Sequence, residues 1–275
     1  MHEPREAVPI LVKLGGSLIT DKSRRSTPRP DVLARLADET EAALRLSPSL
    51  RLILGHGSGS FGHWEASKHH TRDGVATPDE WQGFARVSAA ALALNRIVTG
   101  VFSQAGVPVM SLQPSALGHA SGGQITHFEE RPIRLALDHG LVPLVFGDVA
   151  FDDTQGGTIL STEDIFVYLA SRFSAKWLLL LGNAPGVLGR GGEPVPLITP
   201  ESYPKMQRYL SGSENIDVTG GMGDKVAQVI ALVERCPELR VRIMGGTHPG
   251  SLREALTDPA GYPHGTCIQA SAVLA

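Results

Sequence analysis

The chain predicts an α/β fold with a mainly parallel sheet covered by helices on both faces, and three observations carry that expectation. Short runs of unbroken apolar residues recur, as in strands buried on both sides. They alternate with segments whose apolar residues fall at helical spacing. Glycines follow several of the strand-like runs, as they do where a sheet's C-terminal edge opens toward a ligand.

The elements follow in order. Residues 10–14 (Ile-Leu-Val-Lys-Leu) read as a first strand ended by Gly15 and Gly16. Residues 31–46 place Val32, Leu33, Leu36, Ala37, Ala43 and Leu44 on one helical face behind a capping Asp31. Residues 52–54 form a second strand, 79–104 a long Ala-rich helix, and 107–112 a third strand. A helix over 129–139 leads into a strand over 141–146. A helix over 162–172 leads into the buried strand 176–181. Residues 182–210, rich in Gly and Pro, read as hairpins and loops. A helix over 221–235, a strand over 241–244, a short helix over 250–256 and a last strand near 267–269 complete the chain. A soft boundary at 173–176 suggests two lobes of one continuous sheet, 1–174 and 175–275.

Composition narrows the function. With 275 residues the chain can bury a large core, and 42% apolar with 19% charged residues is ordinary for a globular protein. A formal charge of −3 argues against a nucleic-acid partner. Cys236 and Cys267 are isolated, with neither disulfide nor metal-ligand spacing. The N-terminus lacks the pattern of a secretion signal, and the apolar run 177–181 is too short to cross a bilayer. A cytoplasmic enzyme with no membrane partner is expected.

Chemistry gathers in four places. Residues 55–63 read Gly-His-Gly-Ser-Gly-Ser-Phe-Gly-His, directly after the second strand. Gly57, Gly59 and Gly62 make a literal GxGxxG, but a dinucleotide fingerprint needs an acidic residue at the end of the next strand, and that strand ends in Met110-Ser111. A backbone cradle for a phosphate fits better. Lys13 stands in an otherwise apolar strand where Gly15 and Gly16 open space, with Lys22 nearby, and suggests a second anion site. Thr219-Gly220-Gly221-Met222-Gly223-Asp224-Lys225 opens a helix with a lysine on its first turn, again suited to an anion. Asp148 ends the strand 141–146, and Glu163 with Asp164 opens a helix. These carboxylates could face the cleft or simply cap. His69, His70, His119, His127 and His139 make no HExxH or similar ligand pair, and no metal-ligating residues are assigned. Lysines and glycine loops around two anions suit phosphoryl transfer, which needs positioning and charge more than covalent help.

These motifs resemble the amino acid kinase family over nearly the whole chain. Lys13-x-Gly15-Gly16-Ser17-x-x-Thr20-Asp21-Lys22 is similar to its N-terminal signature. The stretch from His56 to His63, then Gly147-Asp148-Val149, Gly220-Gly221-Met222-x-x-Lys225 and Gly265-Thr266-x-Ile268, follow in the family's order. The Ser-Phe-Gly-His ending points to the branch whose acceptor is isopentenyl phosphate. The resemblance implies a three-layer αβα sandwich, with the acceptor in the N-terminal lobe and ATP in the C-terminal lobe. It implies Mg²⁺ with the nucleotide, a homodimer, and direct in-line transfer giving isopentenyl diphosphate.

By the same resemblance, Lys13, His63, Lys22 and Asp148 are catalytic. Gly57, Ser58, Gly59, Ser60, Gly62, His63 and Gly147 bind the acceptor. Lys13, Gly15, Gly16, Ser17, Lys22, Gly182, Gly186, Gly221 and Lys225 bind ATP. An isoprenoid tail would need apolar neighbours, which Phe84, Val87, Ala91 and Leu94 offer at helical spacing. Three departures stand out: Glu163 where the family has Asp, Gly182 to Leu188 in place of Thr-Asp-Val-Asp-Gly-Val-Tyr, and Ser58 in place of Gly. A phosphonate kinase acting on fosfomycin, and a nucleotide sensor or storage protein without catalysis, are the competing readings.

Overall fold

The computed structural model describes residues 8–210 and 221–271. Its strands are β1 (Ile10–Leu14), β2 (Leu52–His56), β3 (Val109–Ser111), β4 (Gly118–Ser121), β5 (Gln124–Phe128) and β6 (Val142–Phe146), followed by β7 (Asp148–Asp152), β8 (Gly156–Leu160), β9 (Trp177–Gly182), β10 (Leu197–Ile198), β11 (Arg240–Gly245) and β12 (Thr266–Ile268). The helices are α1 (Gly16–Ile19), α2 (Pro30–Leu46), α3 (Gly59–His69), α4 (Pro78–Gln104) and α5 (Pro114–Leu117), then α6 (Arg131–Asp138), α7 (Thr162–Arg172), α8 (Tyr203–Leu210), α9 (Met222–Arg235) and α10 (Ser251–Thr257).

Eight strands form one sheet in the order β10-β12-β11-β9-β1-β2-β6-β3. All run parallel except β12 and its partner β10, which run the other way. The central strands are mostly apolar because both faces are covered, with Lys13 on β1 and His56 on β2 as the buried polar exceptions. Successive side chains alternate between two cores. Leu11, Ile53, Leu178 and Leu180 pack with Ile165, Phe166, Val226 and Ile230 of α7 and α9. Val12, Leu14, Leu54 and Leu179 pack with Leu33 and Leu36 of α2, Leu94 and Phe102 of α4, and Leu252 of α10. The result is three layers, helices over sheet over helices.

The large sheet and its covering helices follow the sequence expectation, but several elements do not. Residues 55–63 read as loop, yet α3 begins at Gly59, and its Phe61 and Glu65 are buried. Helix propensity there is poor, so burial against α4 carries the helix. Two hairpins, β4–β5 and β7–β8, escape the sequence reading and build a separate sheet in the order β5-β4-β7-β8. Their strands are short and mixed in polarity, so neither period stands out. Residues 182–210 hold not only turns but also β10 and α8. The third strand shrinks to Val109–Ser111, and the expected helix over 129–139 spans Arg131–Asp138.

By length and composition alone, α4 is long and apolar enough to cross a membrane. In this fold it is a core helix. Leu94, Val98 and Phe102 pack against the sheet, and a capping box joining Thr77 and Glu80 starts it. Thr219 and Gly220, read as the approach to α9, lie outside the described residues.

Candidate active site

Parallel strands bring their C-terminal ends to one crest, where Lys13 (β1), His56 (β2), Phe146 (β6) and Gly182 (β9) assemble. Alternation along β1 turns Lys13 to the side of Leu11, beneath α7. Its register neighbours are Gly55 on β2 and Leu180 on β9. A Cβ at Gly55 would sit 2.6 Å from Thr162 Cγ2 and 2.7 Å from Phe166 Cζ, so glycine there lets α7 lie close over β2.

The first turn of α7 then delivers Glu163 against the Lys13 ammonium. Lys13 is only 8% exposed. Burial pushes its pKa from 10.5 down to about 7, Lys225 and Lys22 push the same way, and Asp164 pulls against them. Lys22 and Lys225 are therefore within electrostatic reach of Lys13, although 9 and 212 positions would separate a reader of the chain from that fact.

The two glycine loops turn out to face each other. A Cβ on Gly16 would lie 2.5 Å from the Gly59 nitrogen, and one on Gly57 would lie 2.9 Å from the Gly16 nitrogen. Gly59 has φ +51°, and a Cβ there would come within 2.2 Å of Thr20 Oγ1. That hydroxyl donates to Gly16 O at 2.7 Å and accepts from the Ser60 N–H at 2.9 Å, stitching the loops together. The sequence reading assigned these glycines to close approach by a ligand. Chain against chain already demands them.

The amides divide in the same way. Gly15 N–H donates to Leu181 O (2.8 Å) and Gly57 N–H to Leu14 O (3.0 Å), so these two amides are held by neighbouring backbone. Among the described hydrogen bonds none engages the amides of Gly16, Ser17, Ser58 or Gly59, which lie at the starts of α1 and α3. The N–H groups at such starts have no partner within the helix.

The other expected residues separate. His63 is exposed on the first turns of α3 and Lys22 is exposed on the loop after α1, while Lys225 is partly buried near the start of α9. The Lys22 loop is tied to α3 by Arg25 with Glu65 and by Ser26 N–H to Ser60 O (3.1 Å). Gly182 and Gly221 have open space around them. Gly186 is a packing glycine, since a Cβ would lie 2.8 Å from Thr266 Oγ1. Ser60 is buried, and its hydroxyl accepts from the Thr27 N–H. A Cβ on Gly62 would lie 2.5 Å from the Ser58 Cβ.

Gly147 donates to His56 O, and Asp148 is 1% exposed. The Asp148 carboxylate accepts from Val149 N–H, Ser115 N–H and Gln113 Nε2, so it anchors the turn into α5. Glu163 and Asp164 split the two roles considered for them. Glu163 meets Lys13, while Asp164 closes a capping box with Ser161. Phe84 and Val87 join Val75, Val149 and Trp81 in a small apolar cluster, whereas Leu94 packs on the sheet. Thr20 and His56, whose roles depend on contacts distant in sequence, carried no signal beyond their place in motifs.

Among the described residues no three His, Cys, Asp or Glu side chains gather as a metal cage. The carboxylates near Lys13 already have partners. These residues do not by themselves fit a resident Mg²⁺.

On this three-layer scaffold the strand ends carry a nearly buried lysine and two glycine loops that face each other. Residues 9–244 match the amino acid kinase family, and the chain belongs to it. It is 34% identical over 225 residues to an isopentenyl phosphate kinase of Methanocaldococcus jannaschii, covering 80% of this chain and 85% of that protein. It is 32% identical over 257 residues to an isopentenyl phosphate kinase of Methanothermobacter thermautotrophicus, covering 90% and 94%. A solved isopentenyl phosphate kinase structure superposes with a TM-score of 0.77 at 27% identity, over 94% of this chain and 99% of that one.

Proposed function

We propose that this kinase transfers the γ-phosphoryl group of ATP to isopentenyl phosphate, giving ADP and isopentenyl diphosphate. The observation that carries the reading is Lys13: a nearly buried ammonium at the sheet crest, within reach of Lys22 and Lys225, where two interlocked glycine loops leave amides unengaged. The family relatives named above supply the acceptor.

An acceptor phosphate oxygen attacks the γ-phosphorus, the new P–O bond forms, and the bond to the bridging oxygen breaks as ADP leaves. Lys13 meets the charge on the transferring oxygens, and arriving phosphates restore the proton that burial and neighbouring lysines loosen. The Ser58 and Gly59 amides with His63 hold the acceptor. Gly16 and Ser17 amides, Lys22 and Lys225 hold ATP, supplied as its Mg²⁺ complex. Asp148 acts by shaping the turn beside the site. The tail lies against Phe84 and Val87, where Trp81 and Phe151 add aromatic surface. The acceptor lobe is 1–174 and the nucleotide lobe 175–275, working as a cytoplasmic homodimer.

Purified protein with Mg-ATP is offered isopentenyl phosphate, fosfomycin, N-acetylglutamate and UMP, and ADP release is followed. Isopentenyl phosphate is expected to be the preferred acceptor. A preference for fosfomycin, or no turnover with any acceptor, overturns the reading. His63→Ala is expected to lower kcat/KM for the acceptor about tenfold or more, the scale of a hydrogen bond to a charged group, while KM for ATP stays near its starting value.

A further inference from the structure

His56 ends β2 one residue before the acceptor loop, and it is completely buried. Strand alternation turns it to the α4 face, opposite Gly55 and Lys13. Its ring stacks on Phe146, with centroids 5.5 Å apart and planes within 5°. Nδ1 lies 3.1 Å from Gly57 O, and Nε2 lies 3.2 Å from the Asn95 side-chain amide. That amide also meets the Ser111 hydroxyl. Every polar atom of this buried ring has a partner, and the chain of partners reaches from β2 through α4 to β3.

The hydrogen-bond chemistry selects one proton position. Burial holds the His56 pKa below the ordinary histidine value, so the ring is neutral and has a single N–H. A carbonyl can only accept, so that proton belongs on Nδ1, donated to Gly57 O. Nε2 must then accept, so Asn95 turns its NH₂ to the ring and its oxygen to the Ser111 hydroxyl. Oxygen and nitrogen of an amide are alike in shape, and the network decides between them.

We infer that His56 is a positioning residue that clamps the Gly57–Ser58 peptide so that the Ser58 amide points out to the acceptor phosphate. Gly57 has both backbone polar groups held: its N–H by Leu14 O at 3.0 Å, its carbonyl by His56. In a trans peptide the carbonyl and the following N–H point in opposite directions. Among the described residues no peptide bond is cis. With the Gly57 carbonyl drawn inward to the ring, the Ser58 N–H is directed away from it, and no described hydrogen bond uses that N–H. A peptide next to glycine turns over easily, because no Cβ resists it, so the clamp has something to prevent. His56 touches no substrate. It acts through one peptide group, and this rests on residues 57–63 being the acceptor loop.

Two measurements test it. Ring ¹⁵N spectra of the intact protein, assigned with His56→Gln, are expected to show His56 as the Nδ1–H tautomer; the Nε2–H tautomer would overturn the proposal whatever the substrate proves to be. For kinetics, His56→Asn places an amide nitrogen near the Nδ1 position, whereas His56→Gln places it near Nε2, and His56→Phe keeps only the stacking. Gln and Phe are expected to raise KM for isopentenyl phosphate about tenfold, with KM for ATP little changed, and Asn to recover most of that loss. Equal impairment of Asn and Gln would mark His56 as merely structural and refute the clamp. A wild-type enzyme that ignores isopentenyl phosphate would instead remove the acceptor assignment, with the tautomer still deciding the clamp.

Discussion

Gly59→Ala tests whether the glycines exist for each other or only for a ligand. The backbone at Gly59 has φ +51°, and an added Cβ would lie 2.2 Å from Thr20 Oγ1 and 2.8 Å from Gly16 O. Holding alanine in the left-handed region costs about 1–2 kcal/mol. Displacing Thr20 disturbs its hydrogen bonds to Gly16 O and from Ser60 N–H, each worth about 1 kcal/mol. The sum is about 3 kcal/mol, a large part of a total stability of about 5–15 kcal/mol. At roughly 2–4 °C per kcal/mol, Tm falls by ~6–12 °C. Gly100→Ala is the control. It lies within α4 with nothing within 4 Å of the added Cβ, and should stabilise by about 0.5–1 kcal/mol. Urea and thermal unfolding without ligand read both variants. If Gly59→Ala unfolds like the wild type and loses only activity, the loops are not interlocked as described.

Two further outcomes are expected. Between about 7 and 10.5 the unfolded chain holds the Lys13 proton that the folded protein releases, so stability rises with pH across that window. Lys13→Met should flatten this rise in urea titrations at several pH values, and a slope matching the wild type would place the titration elsewhere. Glu39, buried on α2, accepts from the amides of Gly250, Leu252 and Arg253 at the start of α10 and pairs with Arg35 at 2.6 Å. Glu39→Ala should cost ~3 kcal/mol in denaturant unfolding while kcat at 25 °C stays close to wild type; a change below ~1 kcal/mol would show that water replaces the carboxylate readily.

Much of the fold can be read along the chain because its signals are local. β1, β2, β6 and β9 announce themselves as largely apolar runs, since a strand covered on both faces is apolar at nearly every position. The helices α2, α4, α7 and α9 show their spacing because each buries a single stripe. The ordered motifs, from Lys13 to Gly265, likewise identify the family. Helix α3 and the hairpins β4–β5 and β7–β8 could not be read this way. Their stability lies in partners far along the chain, and their own residues carry weak or mixed preferences.

The site divides along the same line. Residue types and order point to phosphates, lysines and glycine loops, because that chemistry depends on what the side chains are. Which lysine is buried, which glycine serves a ligand and which serves its neighbour depend on where strand alternation sends each residue. Only the folded sheet turns Lys13 beneath α7 to meet Glu163, sends His56 the opposite way to Asn95, and brings Gly16 against Gly59. Those are contacts between segments tens to more than a hundred residues apart, and a linear pattern holds no distance between them.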